Sequence, residues 1–438
     1  MNVRIVLGAS LIIALIAAPG LAGPAFAARR VPADFASLQA AIDASAAGDT
    51  VLVAPGTYIE RVTLAAGVIL RATGAPGSVV LDAGHAGPAV LAVGLVPAPR
   101  LEGLRLVNGS GRDLGGATLG GVLAVVGGEL EAVDCTFDGG QATYGGVTAA
   151  SAATVSFLRC SWSGGVASFG GAHFQSGGSL VIEDGAIAGT SAAAGGGIYV
   201  TGGAQGSVLS TVVSGTSASG DGGGLRVDDC VLTLSNVRID GASAAGRGGG
   251  LAIAAGGQVI ASASVLIDCT SALGGGLFYI SCAPSLTGSS RAFQGAECAL
   301  LSMTHCDLLL GKGAAPAAGG VTDAAAFQLE SSLVAGNASG LACLDPRATL
   351  SVTCSDLYQN GGADLAGSCV ATASGNVSLD PHLCNLAARN FGLCANSPLL
   401  APACGAAPWG AGVLSCSDCG PTPTRPTSWG GLKALYRD

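Results

Sequence analysis

The chain has 438 residues, and 72 are Gly, more than twice the usual ~7% share. Charged residues make up 11%, aromatics 4%, net charge is −9, and Lys occurs only at 312 and 433. The lack of any basic tract excludes nucleic acid and anionic lipid as partners. An apolar content of 49% excludes a disordered chain, and the absence of a strict three-residue Gly period excludes collagen.

Residues 1–27 carry an early Arg4, an apolar stretch from Ile5 to Ala18, and Ala25-Phe26-Ala27. That pattern is an export signal with a small-x-small cleavage site. Pro19 and Gly20 end the apolar run well short of the ~20 residues a membrane span needs, and no later segment is long and apolar enough to cross. The mature chain is expected to be secreted or at the cell surface.

In residues 28–50, Phe35, Leu38 and Ile42 fall on one helical face. A short amphipathic helix there would cap the open end of whatever follows. Val51, Val53, Val62, Leu64, Val68 and Leu70 then begin short β-type runs.

The main signal is an internal repeat. A Gly-Gly pair followed by an apolar residue recurs with its last Gly at 121, 146, 171, 197, 224, 250 and 276, at intervals of 25–27. A second Gly ladder runs in step at 139, 164, 189, 215 and 241. Each unit is too short for a domain and holds short runs such as Gly-Ile-Tyr-Val at 197–200, bounded by turn residues. Apolar residues alternate after each repeated Gly, as in a half-buried strand. A unit of this size buries its apolar face only by stacking on its neighbours. The prediction is an all-β parallel β-helix (solenoid) over residues 51–340, one coil per repeat, with a longer loop near 282–319.

The solvent side of the strand after each Gly-Gly is expected to carry His173, Gln175, Tyr199, Thr201, Arg226 and Asp228. Coils stacked ~4.8 Å apart would gather these six into one polar and aromatic patch. Such a patch is either an ordinary solvated face or a sugar-binding surface. An Arg near an acid also suits proton abstraction from a sugar. Asp134, Arg159 and Asp184 precede the second Gly ladder and are expected to stack as a turn column of alternating charge. Cys135 and Cys160 are one coil apart and should stack with side chains inward, bridged or reduced.

Eight of the 15 cysteines lie between Cys343 and Cys419. With an export signal they read as disulfides. Short loops favour Cys354–Cys369, Cys384–Cys394 and Cys404–Cys416, leaving Cys343 and Cys419 as a fourth pair. Cys416-x-x-Cys419 has no second such pair, and His85, His305 and His382 are scattered, so no metal or cofactor is expected. Residues 341–419 are read as a Cys-rich end holding the last, irregular coils. Residues 420–438 are a Pro/Thr linker and tail, where Leu432, Leu435 and Tyr436 fall on one helical face suited to docking on a surface or secretion partner.

Phe35-Ala-Ser-Leu-Gln-Ala-Ala-Ile-Asp, Ala47-Gly-Asp-Thr-Val and Ala54-Pro-Gly-Thr-Tyr resemble the opening of secreted right-handed parallel β-helix proteins of the pectin-lyase-like superfamily. The Gly-Gly-Gly-Ile and Gly-Gly-Gly-Leu units are similar to the polymorphic outer-membrane-protein repeat. Gly375-Asn376, Leu379-Asp-Pro381 and Asn396-Ser-Pro-Leu399 resemble a closing segment of such proteins. The resemblance spans roughly residues 31–400 and implies right-handed coils. The superfamily holds lyases, hydrolases, adhesins and proteins without known activity. No catalytic acid/base set is recognisable here, so the expected role is a structural or binding element, adhesin-like or glycan-contacting. The alternative is a polysaccharide lyase or glycoside hydrolase.

Overall fold

The computed structural model describes residues 27–282, 299–314, 316–385, 388, 390–404, 408–411, 414–417 and 419. Residues 1–26 of the expected leader, residues 283–298 of the long loop expected near 282–319, and the tail 420–438 lie outside the described residues; the described remainder of that loop forms coil strands such as Leu300–Thr304 and Asp307–Leu309. No helix among those described is long and apolar enough to cross a membrane.

The chain winds into a parallel β-solenoid. One coil runs through the strands Ile198–Thr201, Gln205–Leu209, Val212–Ser214 and Ser217–Ala218. The next coil repeats the path in register: Ile198 pairs with Leu225, Val208 with Leu234, Val213 with Ile239 and Ser217 with Ser243. The first two strands of each coil join a 23-stranded sheet, and the third joins a 12-stranded sheet running from Gly56–Tyr58 to Asp356–Tyr358. Twelve strands at ~4.8 Å spacing make a stack of about 50 Å. Near the N-terminus the helix Leu38–Asp43 buries Leu38, Ala41 and Ile42, and the Ser37 side chain accepts the amide of Ala40. The Glu60 carboxylate accepts the amide of Leu38 at 3.0 Å.

Inward side chains form columns along the axis. Leu180, Gly206, Leu232, Val259, Leu301, Phe327 and Leu350 occupy one such column. Leu232 is fully buried, and Gly206 leaves the space its side chain fills. Leu232→Ala is expected to destabilise the fold by ~2–5 kcal/mol, because stacked coils cannot collapse onto the gap. Urea denaturation checks this, and a loss under 1 kcal/mol would show the column to be loosely packed. Cys135 and Cys160 stack inward as free thiols, 1% and 2% exposed. The hydrogen bond between them and burial push the Cys160 thiol far toward its protonated form.

The two Gly ladders have different structural causes. At the second ladder Gly139, Gly164, Gly189, Gly215 and Gly241 have φ between 57° and 66°. Asp268, Leu310 and Gln359 continue the turn with positive φ, so this corner tolerates a side chain. Asp134, Arg159, Asp184, Ser210 and Asn236 hold a similar left-handed turn. Arg159 clamps Asp134 in the coil below at 2.7 and 2.9 Å.

The Gly-Gly pairs sit elsewhere, at the neck of a short excursion. Residues 141–144, 166–169 and 191–194 leave the coil and return, and they stack into a nine-stranded fin. A Cβ on Gly145 would lie 2.1 Å from the Thr148 carbonyl oxygen, and one on Gly146 2.5 Å from that of Gly171 in the next coil. Backbone crowds the pair from its own coil and from the neighbouring one, and only glycine fits.

Coils continue through Val370–Ser374, which pairs with Thr349–Thr353. The chain then turns back. Leu383–Asn385, Asn390–Cys394 and Leu414–Cys416 form a three-stranded sheet. With Leu399 and Trp409, this flap packs on Ile267, Leu309, Leu333 and Ala335, outside the main core. The expected disulfide pairings are all replaced. The bridges within the Cys-rich end are Cys343–Cys369, Cys354–Cys404, Cys384–Cys416 and Cys394–Cys419, with Cα separations of 5.5–6.0 Å. Loop length does not choose the partners. Cys343 pairs in the ladder with Gly367, which stacks Cys369 beside it, and Cys354 meets Cys404 because the flap folds over the coils.

Candidate functional site

The six residues of the expected patch do not share one face. The strand pairing aligns Thr148 with His173 and His173 with Ile198 and Leu225. His173 and Gln175 therefore stand in the interior columns, and both are fully buried. The cause is a one-residue slip. The coils at 145–146 and 170–171 carry Gly-Gly, whereas those at 195, 222 and 248 open Gly-Gly-Gly. The amide ladder runs Gly145, Gly170, Gly195, Gly222 on the first Gly, not the last. Shifting a strand by one residue moves each side chain to the opposite face.

His173 belongs to a buried relay. Trp162 Nε1 donates to Thr148 Oγ1 at 2.9 Å, and Thr148 Oγ1 lies 2.9 Å from His173 Nδ1. Gln175 Nε2 donates to the carbonyls of Ala153 and Gly177, which leaves its Oε1 facing His173 Nε2 at 3.3 Å. His173 must then donate from Nε2 and accept at Nδ1. Burial lowers its pKa to about 4, so the ring is neutral at pH 7. It satisfies core polar atoms and is out of reach of a ligand.

Tyr199, Arg226 and Asp228 do lie together, on the outer side. Their column runs Ala149, Phe174, Tyr199, Arg226, Ala252, Tyr279. A second column at the root of the fin faces it: Leu119, Tyr144, Phe169, Ala194, then Asp221 and Arg247. The glycines at the neck fold these two columns against each other outside the solenoid. Tyr144 stacks on Phe169 at 5.4 Å and meets Phe174 at 4.9 Å, while Tyr199 meets Phe169 and Phe174 at 5.7 Å. Large and small residues alternate across the seam, as with Tyr144 opposite Ala149 and Ala194 opposite Tyr199, so the floor of the groove packs without clashes while Tyr144 and Phe169 stay partly accessible.

At the charged end, Arg226 Nε donates to Asp228 Oδ1 at 2.6 Å and Nη1 to Asp221 Oδ2 at 3.0 Å. The Tyr199 hydroxyl donates to the other Asp228 oxygen at 2.7 Å. Burial would lower the Arg226 pKa, but the Asp228 and Asp221 carboxylates raise it overall. The exposed Arg247 donates its amide to Asp221 and sets its guanidinium 4.8 Å from the Tyr279 ring centre. Thr201, half-buried at the end of its strand, pairs in register with Ser176. Phe174, Tyr144, Phe169, Asp221, Arg247 and Tyr279 were not expected here. The signal that could have found them is the five-residue offset between Asp221 and Arg226, repeated in every coil. A shallow depression of about 430 Å³ lies on the fin itself, lined by Ser110, Thr118, Gln141 and Val166 among others; none of the charged groove residues lines it.

The turn back at residues 375–383 creates a second unusual place. Asp307 and Asp356 stand two coils apart in one column, with Leu333 between, under the flap. Asp307 Oδ1 accepts the amide of Ala411, and Asp356 Oδ1 that of Leu379, both at 2.9 Å. The second oxygen of each is buried without a partner among the described residues. Burial pushes each carboxyl up to about 7.

No protein-family profile matches the chain, and no curated protein matches it. Among solved structures it is similar to PfbA, a surface adhesin of Streptococcus pneumoniae, at 12% identity over 78% of this chain and 86% of that one, with a TM-score of 0.38. It is also similar to the alginate lyase AlyF-OU02, at 12% identity over 78% and 82%, TM-score 0.35, and to pectate lyase Pel9A, at 11% identity over 86% and 91%, TM-score 0.32. The solenoid architecture rests on the strand pairing described above, and these likenesses add no assignment of activity.

Proposed function

We propose that the chain is a β-solenoid binding element that seats a carbohydrate chain in the groove between the fin and the 23-stranded sheet. One observation carries the reading: the half-buried rings of Tyr144 and Phe169 lead along the axis to the accessible Asp221 and Arg247, with Asp221 held by the buried Arg226–Asp228 pair. Aromatic faces take the apolar faces of sugar rings, and Arg247 and Asp221 supply donors and an acceptor for hydroxyls. Two Asp and two Arg balance, which favours a neutral glycan over a polyanion. Titration calorimetry against neutral and acidic polysaccharides tests it. Phe169→Ala and Arg247→Ala are each expected to weaken neutral-glycan binding about 5–30-fold, the loss of ~1–2 kcal/mol. Unchanged affinity in both variants would rule the groove out.

A lyase or hydrolase at this site would need Arg226 or Asp228 free to move a proton, but each is held by the other and by Asp221 or Tyr199. Product release from the same panel, lost in Arg226→Ala, would favour the enzymatic alternative. We also propose that the chain acts outside the reducing cytosol, at a cell surface or in the medium. The four bridges and the leader-like sequence of residues 1–27 support this. In the same reading, the helix Leu38–Asp43 closes the first coil, and the tail 420–438 docks to a surface or secretion partner.

A further inference from the structure

Four sulfur atoms meet at the edge of the flap. The Sγ atoms of Cys384, Cys394, Cys416 and Cys419 all lie within 4.8 Å of one another. Cys416 Sγ is 3.3 Å from Cys394 Sγ and 3.4 Å from Cys419 Sγ, so it has close neighbours beyond its bridge partner Cys384. Sequence spacing hides the cluster, because Cys384 and Cys394 are not a close pair and reach Cys416 and Cys419 only through strand pairing.

The frame that gathers these sulfurs is independent of bonds between them. Leu383 pairs with Leu393, and Cys394 with Cys416, in the three-stranded sheet. Cys394 donates its amide to the His382 carbonyl and accepts the amide of Ser397. Asn396 holds both sides of Cys419: its Nδ2 donates to the Cys419 carbonyl at 2.9 Å, and its Oδ1 accepts the Cys419 amide at 3.2 Å. Cys394 is fully buried and the other three are half-buried, so an ion among them would be largely shielded from water. Four sulfurs around zinc at ~2.3 Å stand about 3.8 Å apart in a tetrahedron, a spacing that fits within the span of this cluster.

We propose that, when reduced, these four cysteines form a tetrathiolate site for a divalent zinc ion, so that the flap is closed by either two disulfides or one metal. The conversion balances. A thiol reductant delivers four electrons and four protons to the two bridges and is itself oxidised to disulfide. The four resulting thiols lose four protons as four Zn–S bonds form. Among the other described cysteines, Cys135, Cys160, Cys230, Cys269 and Cys306 are buried in the solenoid, and Cys343 with Cys369 and Cys354 with Cys404 come together only in pairs, short of the four ligands a closed zinc site takes.

The test uses the full chain, purified with a thiol reductant in the presence of zinc sulfate and then desalted. Elemental analysis should find one zinc per reduced chain, and none after oxidation restores the bridges. The double variant Cys394→Ser/Cys416→Ser, checked for β-sheet circular dichroism, should lose at least fivefold of the bound zinc. Cobalt(II) in place of zinc on the wild-type chain should give the thiolate-to-cobalt charge-transfer absorption of a four-sulfur tetrahedral site, a readout that does not depend on the variant folding. A reduced chain without stoichiometric zinc, the absence of that absorption, or undiminished zinc in a folded double variant would each overturn the proposal.

Discussion

Alanine at Gly170 is expected to lower the unfolding free energy by ~3–5 kcal/mol, near the upper end for a single substitution. Gly170 has φ +69°, and a Cβ there would lie 2.2 Å from the His173 carbonyl oxygen and 2.8 Å from its carbon. Both are backbone atoms of the strand His173–Glu183, which is paired on each side. Relief therefore requires moving a coil against its neighbours. Gly189 provides the control. Its φ is +61°, but a Cβ there would meet nothing within 4 Å, so Gly189→Ala should cost only the ~1–2 kcal/mol of the left-handed conformation. Paired urea denaturations compare them. Equal losses would show that the neck is not a steric constraint.

Asp307→Asn is expected to stabilise the flap by ~3 kcal/mol at pH 8 and to change little at pH 4. The Asp307 carboxyl is held up at about 7 by burial, against about 3.9 in an unfolded chain. Between those values the folded form keeps a proton that the unfolded form has released. Stability from this group is thus fully present below about pH 4 and declines as pH rises toward 7. Asparagine stays neutral and removes the dependence, and Asp356, also held up at about 7, should behave alike. His173 works the other way. Its folded pKa of about 4 lies below the ~6.5 of a free imidazole, so its core position loses stability as pH falls from 6.5 to 4. Hydrogen exchange separates the two, because the flap amides of Leu393 and Ala411 should follow Asp307 and those of Thr148 and Gln175 should follow His173. Flap exchange in wild type that does not quicken between pH 5 and pH 8, after correction for intrinsic rates, would refute the assignment to Asp307.

Much of the solenoid was legible in the sequence, because its causes are local and periodic. The 25–27-residue Gly period, the alternation of apolar residues and the inward stacking of Cys135 on Cys160 are all set by neighbours one coil apart. The faces of individual side chains were less secure. Adding one Gly where Gly-Gly becomes Gly-Gly-Gly leaves the period almost unchanged, yet it reverses every side chain counted from the last Gly. That slip joined the buried His173 and Gln175 to the outer Tyr199 and Arg226. The meaning of the two Gly ladders was also hidden. One is a left-handed turn that Asp268 and Gln359 can occupy; the other is a close approach of backbone, and only the carbonyls around it, such as that of Gly171 over Gly146, reveal it. Three of the four disulfides described at this end, the cover over the two acids and the four-sulfur cluster depend on the segment after residue 375 folding back across the coils. Loop length and motif spacing record contacts near in sequence, whereas these contacts join Cys354 to Cys404 and Asp307 to Ala411. Local periodicity determined the coil, and tertiary packing against the side of that coil decided what the buried polar and sulfur groups meet.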